Sequence, residues 1–354
     1  MNIDLPATII ALLTFFGIAA IIALSLNLEY GLTGIPNFGK AMFVSIGAYT
    51  AGMTYTRLLP LLAGKGYLDP CDGSTLSQAL QMRIAIVNTQ PGASFLNLAL
   101  TLGIAAVIGG LSGYLVSYTA LRVKEEWYLG LVLLVGSEVV RIIAQGYAPV
   151  VCGVNGISGV TQPFNALGNA TAASACFAVV VVLAAALTYS YCERLVHSPF
   201  GRVLKAIREN EDVTLSLGKP VPRIRAEIML IGSALAAMAG VLFVINSGYV
   251  SANDYAVGFT LDIWVMVVLV CSLSFAGFVA VRLMGERHGL PITGVVGALV
   301  SSTAVTMAMA TRSRIDPRVA PVAASAAGSS PSFPVKRSGS GRSTSAGLRF
   351  GCWG

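Results

Sequence analysis

The chain has 354 residues, of which only 11% are charged, against roughly 25% in a typical soluble domain. Apolar types make up 55%, so the chain cannot supply the polar skin of a water-soluble fold, whereas a polytopic membrane protein is solvated by lipid. The formal net charge is +7, but from Arg312 onward seven basic residues face one acid, Asp316, and residues 1–311 net only +1, which removes nucleic acid as an expected partner.

A helix needs about 20 apolar residues to cross the hydrocarbon. Eight stretches qualify as candidate spans in an all-α, polytopic transmembrane bundle: Ala7–Leu26, Ala41–Leu59, Leu96–Leu121, Trp127–Tyr147, Ala172–Tyr191, Ile228–Ser247, Leu261–Met284 and the weaker Ile292–Ala310. The first has no basic segment before it and no cleavage site after it, so it reads as a span and not a signal peptide. Residues 1–311 form the expected membrane domain. The tail, 312–354, is rich in Ser, Ala, Gly, Pro and Arg and reads as disordered.

Loop charge sets orientation. Gly146–Ala170 carries no charge and Gly248–Thr260 only Asp254, whereas Cys192–Arg225 carries seven basic residues. Arg122 and Lys124 follow the third span, and Arg282 and Arg287 lie at and beyond the end of the seventh. The expected topology therefore has the amino terminus outside and the 192–225 loop in the cytoplasm of a plasma-membrane protein. Eight spans would leave the basic tail outside, in conflict with the same rule. Pro60–Ser94 is then an external loop containing Cys71, and the next external loop contains Cys152. An oxidising exterior permits a disulfide between them, which spacing alone does not establish.

The cytoplasmic loop carries the strongest pattern. Ser198-Pro199 opens a helix, and Phe200, Val203, Leu204 and Ile207 recur at helical spacing as one apolar stripe. A second short stretch, Glu211–Leu217, ends at Gly218, and Lys219-Pro220 stops any helix. Pattern alone leaves two readings open: a lever for a soluble partner, or a helix lying on anionic lipid.

Gly34 to Lys40 fits G-x-x-x-x-G-K, the start of a phosphate-binding loop. Ala41 offers no hydroxyl for magnesium, the preceding segment is a membrane span, and Pro36 removes a backbone donor, so nucleotide binding is not expected here. The glycines instead read as broken helix lining a cavity. Glu138 and Arg141 lie inside the fourth span, where ionisable residues are functional candidates. They are three apart, so a structural ion pair is the favoured reading. Gly109 and Gly113 suit close helix packing. Cys152–Gly159 is glycine-rich and uncharged, either a surface loop or a docking element. Scattered cysteines and two histidines, His197 and His288, point to no metal site and no cofactor.

Taken in order, these residues resemble a known family. Ser25–Tyr49, SLNLEYGLTGIPNFGKAMFVSIGAY, is similar to the amino-terminal signature of branched-chain amino-acid ABC transporter permeases, with Lys40 where histidine is common. Leu121–Ile143 resembles the family segment that carries a glutamate and an arginine, matched by Glu138 and Arg141. Asn155–Gly159, NGISG, looks like the loop of the longer, M-type permease. Ser198–Gly218 resembles the coupling loop, and Gly240–Leu269 continues the match. The resemblance implies an importer with a second permease subunit, two cytoplasmic ATPases and an extracytoplasmic binding protein, the ATP being hydrolysed in the partner chains. It tips the loop toward ATPase docking through Phe200, Gly201, Leu204, Ile207, Arg208, Glu211, Leu217 and Gly218. Asn27, Gly31, Gly34, Asn37, Gly39, Glu138 and Arg141 would line or support the path.

The motif resemblance ends at Leu269, where the family continues with a glycine-rich segment and this chain has Val270–Phe275, VCSLSF. That break reads as a change of frame near codon 270. Two other readings compete with the importer. A secondary transporter driven by an ion gradient usually places acids at mid-membrane, and Glu138 is the one deep acid seen in the sequence. A membrane enzyme finds no motif.

Overall fold

The computed structural model describes residues 5–269, apart from Gly73 and residues 121–125, together with Ser272. The expected eighth span, the end of the seventh, and the tail lie outside the described residues. Contacts divide the chain after Val267, and all packing below is within the first unit.

The first helix, α1 (Leu5–Leu26), does not stop at Leu26 but widens into a π turn over Asn27–Gly31. Residues 34–37 are non-helical. Then α2 (Lys40–Met53), a second π turn (Thr54–Leu58) and α3 (Leu59–Leu62) form one helical run. The expected loop 60–94 is largely helical, since α4 (Leu76–Thr89) stands in it. There follow α5 (Pro91–Ala120), α6 (Glu126–Gly146), the short α7 (Ala148–Val151), β1 (Ile157–Ser158) and α8 (Ala170–His197). Next come α9 (Pro199–Glu209), α10 (Glu211–Ser216), α11 (Val221–Ser247), β2 (Tyr249–Val250) and α12 (Val257–Leu269). The two strands form a small antiparallel pair, Ile157 opposite Val250.

Among the described residues five helical stretches are long and apolar enough to cross a membrane: Leu5–Gly31, Pro91–Tyr118, Trp127–Gly146, Ala170–His197 and Val221–Ser247. The expected second span lies in the run Lys40–Leu62, which is not among these five. The architecture is the all-α polytopic bundle expected.

The centre of the bundle is α11. Its most apolar window is 72% buried, against 22–39% for the other spans, so α11 faces protein on nearly all sides while the others present one flank outward. Small residues let its neighbours approach. A Cβ at Gly109 would strike Ala237, and one at Gly113 would strike Ser233, as the spacing of the two glycines predicts for α5 against α11. Against α2, a Cβ at Gly47 would strike the Ala237 carbonyl, and one at Gly240 would strike that of Val44. Dispersion contacts that such close approach permits replace the hydrophobic drive that lipid removes.

Cys71 and Cys152 are joined as a disulfide, with Cα atoms 5.0 Å apart. The bond ties the segment before α4 to the turn after α7. Next to it, a cleft of about 160 Å³ is lined by Arg57, Tyr67, Asp69 and Pro149 among others.

Candidate functional site

The segment from Asn27 to Ala41 is where helix geometry breaks, and most of the expected path residues sit in it. The helix runs on to Thr33, and turning the chain back from there requires a reversal. Gly34 supplies it at φ +77°, a left-handed conformation that side chains disfavour. The Gly34 amide donates to the Tyr30 carbonyl at 3.0 Å and the Ile35 amide to the Glu29 carbonyl at 3.1 Å, closing the turn. Thr33 adds a hydroxyl bond to that same carbonyl.

The turn folds Glu29 back onto Lys40. Lys40 Nζ donates to Glu29 Oε1 at 2.8 Å, and both side chains are 0% exposed. Asn37 Nδ2 donates to the other carboxylate oxygen at 2.7 Å. The Gly39 amide donates to Asn37 Oδ1 at 3.0 Å, so Asn37 bridges the carboxylate and the start of α2. Lys40 also reaches the Gly232 carbonyl of α11 at 3.5 Å. A Cβ at Gly232 would collide with the Glu29 carboxylate, so a larger residue there would push that side chain off its partners. Burying two charges costs several kcal/mol each unless they are paired and further hydrogen-bonded, and this cluster meets both conditions.

The neighbours complete the enclosure. Trp264 of α12 donates its indole N–H to the Asn37 carbonyl at 3.2 Å and stacks on Phe38 at 4.6 Å between centroids. Thr260 Oγ1 accepts from the Ala41 amide at 3.0 Å. A Cβ at Gly39 would lie 2.6 Å from the Leu133 carbonyl of α6. The segment is thus in contact with α6, α11 and α12 at once.

The expected site residues divide accordingly. Gly34, Asn37 and Gly39 belong to this cluster. Asn27 is exposed and does not face it. Glu138 and Arg141 form the ion pair expected of them, 2.7 Å apart and about a quarter exposed. Glu138 Oε1 also accepts from the Val257 amide at 3.0 Å, capping the start of α12. Glu138 is not the one deep acid: Glu29 is more deeply buried. A first span that ends at Leu26 puts Glu29 in a loop, which is why the sequence does not single it out. A signal is nevertheless present, since an acid eleven residues before a lysine in an apolar segment needs a partner. Lys40, the lysine of the G-x-x-x-x-G-K spacing, is committed to Glu29 instead of a phosphate.

The 198–218 loop folds as predicted. Ser198 Oγ accepts from the Gly201 amide at 3.2 Å, and Asn210 caps α10 by accepting from Val213 at 3.0 Å. Its apolar stripe, however, turns inward. Leu204 and Ile207 are buried in a cluster with Leu28, Leu32, Ile224 and Ile228, with Phe200 packed against it. Gly201 is buried against the Val196 and Leu195 carbonyls. These four residues hold the loop on the bundle and present little or nothing to a partner. Arg208 Nη1 donates to the Gly31 carbonyl at 2.5 Å, and Glu211 pairs with Arg225 at 3.0 Å. Val213, Leu215, Leu217 and Gly218 are left exposed.

The described residues thus combine helices long and apolar enough to cross a membrane, a helix broken around buried charges, and a loop tied to that break. The family model for branched-chain amino acid transport system permease components matches residues 8–310. The chain belongs to that family. The match runs past Leu269, where the motif resemblance ends, and so covers residues 270–310. The probable branched-chain amino acid transport permease protein LivM of Methanocaldococcus jannaschii is 37% identical over 270 residues, 76% of each chain. The high-affinity branched-chain amino acid transport system permease proteins LivM of Salmonella typhimurium and Escherichia coli are each 27% identical over 271 residues. Those matches cover 70% of this chain and 55% of each relative. No solved structure matches the chain. As a member of this family with several apolar spans, the chain is a multi-pass membrane protein.

Proposed function

We propose that the chain is the permease subunit of an ATP-binding-cassette importer that moves branched-chain amino acids inward across the plasma membrane. Separate ATPase subunits energise it. A second permease subunit and an extracytoplasmic binding protein complete the system. The amino terminus and the Cys71–Cys152 disulfide face outside, and α9–α10 faces the cytoplasm. Residues 1–311 are the permease domain and 312–354 a tail outside it. The observation that carries the reading is the link between loop and path. Arg208 of the loop holds the carbonyl of Gly31 at the helix break, while Val213 and Leu217 remain exposed for a docking ATPase. A pull on α9 is thereby a pull on the broken segment.

Reconstitution tests it. The complex with its ATPases and binding protein, in proteoliposomes, should accumulate leucine, isoleucine or valine only when ATP is supplied on the α9–α10 side. Uptake driven by an ion gradient without ATP would establish the secondary-transporter reading instead.

A further inference from the structure

The importer reading is the premise here; the new element is where the substrate's charges go. Glu29 and Lys40 are sealed from solvent in this conformation, and no uncharged ligand can part them without leaving each as a bare buried charge. A ligand carrying an ammonium and a carboxylate on one carbon can replace both partners at once. Asn37 holds Glu29 by Oε2, so Oε1, the oxygen on Lys40, is the one free to change partner. Lys40 is the first residue of α2, at a helix start that favours an anion and disfavours a cation. The site therefore needs a carboxylate beside Lys40 whatever its source. Glycine lies on two sides of the pair, Gly39 in close contact with α6 and Gly232 on α11 in close contact with Glu29. Glu29 itself stands in the π turn, whose last residue, Gly31, Arg208 ties to α9.

We propose that Glu29 and Lys40 are a self-occupied recognition couple for the zwitterionic head of an α-amino acid. In the open state the substrate ammonium takes the place of Lys40 on Glu29, and the substrate carboxylate takes the place of Glu29 on Lys40. Re-pairing of the two side chains closes the path behind the departing substrate. The couple selects the amino-acid head group and leaves the side chain to be selected elsewhere.

The test uses the complete reconstituted importer with the E29Q/K40M double variant, which removes both charges and leaves neither bare. A structural pair predicts wild-type thermal stability and wild-type uptake. The recognition couple predicts wild-type stability with uptake lowered about tenfold for each charge-assisted hydrogen bond to substrate that is removed. Normal uptake by a stable double variant overturns the proposal. If the double variant does not fold, cryo-electron microscopy of the wild-type complex trapped with leucine decides. Ligand carboxylate on Lys40 and ligand ammonium on Glu29 support the couple, and an intact Glu29–Lys40 pair with leucine bound elsewhere overturns it. Wild-type complex lacking ATP-driven uptake is a failure of the importer reading, distinct from normal uptake by the double variant.

Discussion

The guanidinium of Arg208 sits 2.5 Å from the carbonyl oxygen of Gly31, 177 residues away in sequence. One end of the bond is on the second-last residue of α9, the other on the last residue of the π turn. The bond is exposed, but the neighbours of its two ends in sequence, Leu28 and Leu32 on one side and Leu204 and Ile207 on the other, pack in one buried cluster. Replacing Arg208 with alanine should leave the complex assembled and ATP hydrolysis intact while lowering uptake severalfold, since one charge-assisted bond is worth about 1.5–3 kcal/mol before solvent weakens it. Arg208→Lys, which keeps the charge, should recover part of the loss. The ratio of amino acid moved to ATP hydrolysed is the readout.

The two faces of α9–α10 should respond oppositely to mutation. Leu217 is 73% exposed, so Leu217→Asp should leave thermal stability within about 0.5 kcal/mol and abolish co-purification of the ATPase. Leu204 is fully buried, so Leu204→Ala should cost about 2–5 kcal/mol and lower the unfolding temperature in detergent.

Glu29 and Lys40 should each be costly to leave unpaired, because both side chains are fully buried. Lys40→Met alone leaves a buried carboxylate bare and should destabilise by about 3–5 kcal/mol. The double variant E29Q/K40M should return most of that, because it is the unpaired charge that is costly. A double-mutant cycle by thermal unfolding reads the coupling directly.

Glycine is required at some helix positions and dispensable at others. Gly47→Ala forces a methyl against the Ala237 carbonyl and should cost about 1–3 kcal/mol as overpacking. Gly103→Ala has open space around it and should be neutral or stabilising by up to about 1 kcal/mol. Unfolding temperatures of the two variants, measured side by side, check the difference.

Reduction should loosen one end of the molecule. The disulfide closes a loop across 81 residues, and removing such a cross-link typically costs about 2–5 kcal/mol. Cys71→Ser should lower the unfolding temperature and raise hydrogen exchange in α4 while leaving α9–α10 unchanged.

Much of this protein was legible in one dimension. Low charge and long apolar runs determine a helical membrane bundle, because backbone groups in lipid must be satisfied within each segment. Ser198-Pro199 and the spacing of Leu204 and Ile207 determine α9, because capping and helical period are local properties. Gly109 and Gly113 announce a close helix contact for the same reason. What the stripe of α9 faces was not legible. An apolar face records only that something covers it, and the tertiary structure decided that the cover is Leu28, Leu32 and Ile224 of the same chain. Nor was the pairing of Cys71 with Cys152, which depends on where two loops arrive in space. The Glu29–Lys40 pair needed the fold most of all. A π turn carries α1 past its last apolar residue, and a left-handed glycine turns the chain back, so that two charges eleven residues apart meet where neither could stand alone.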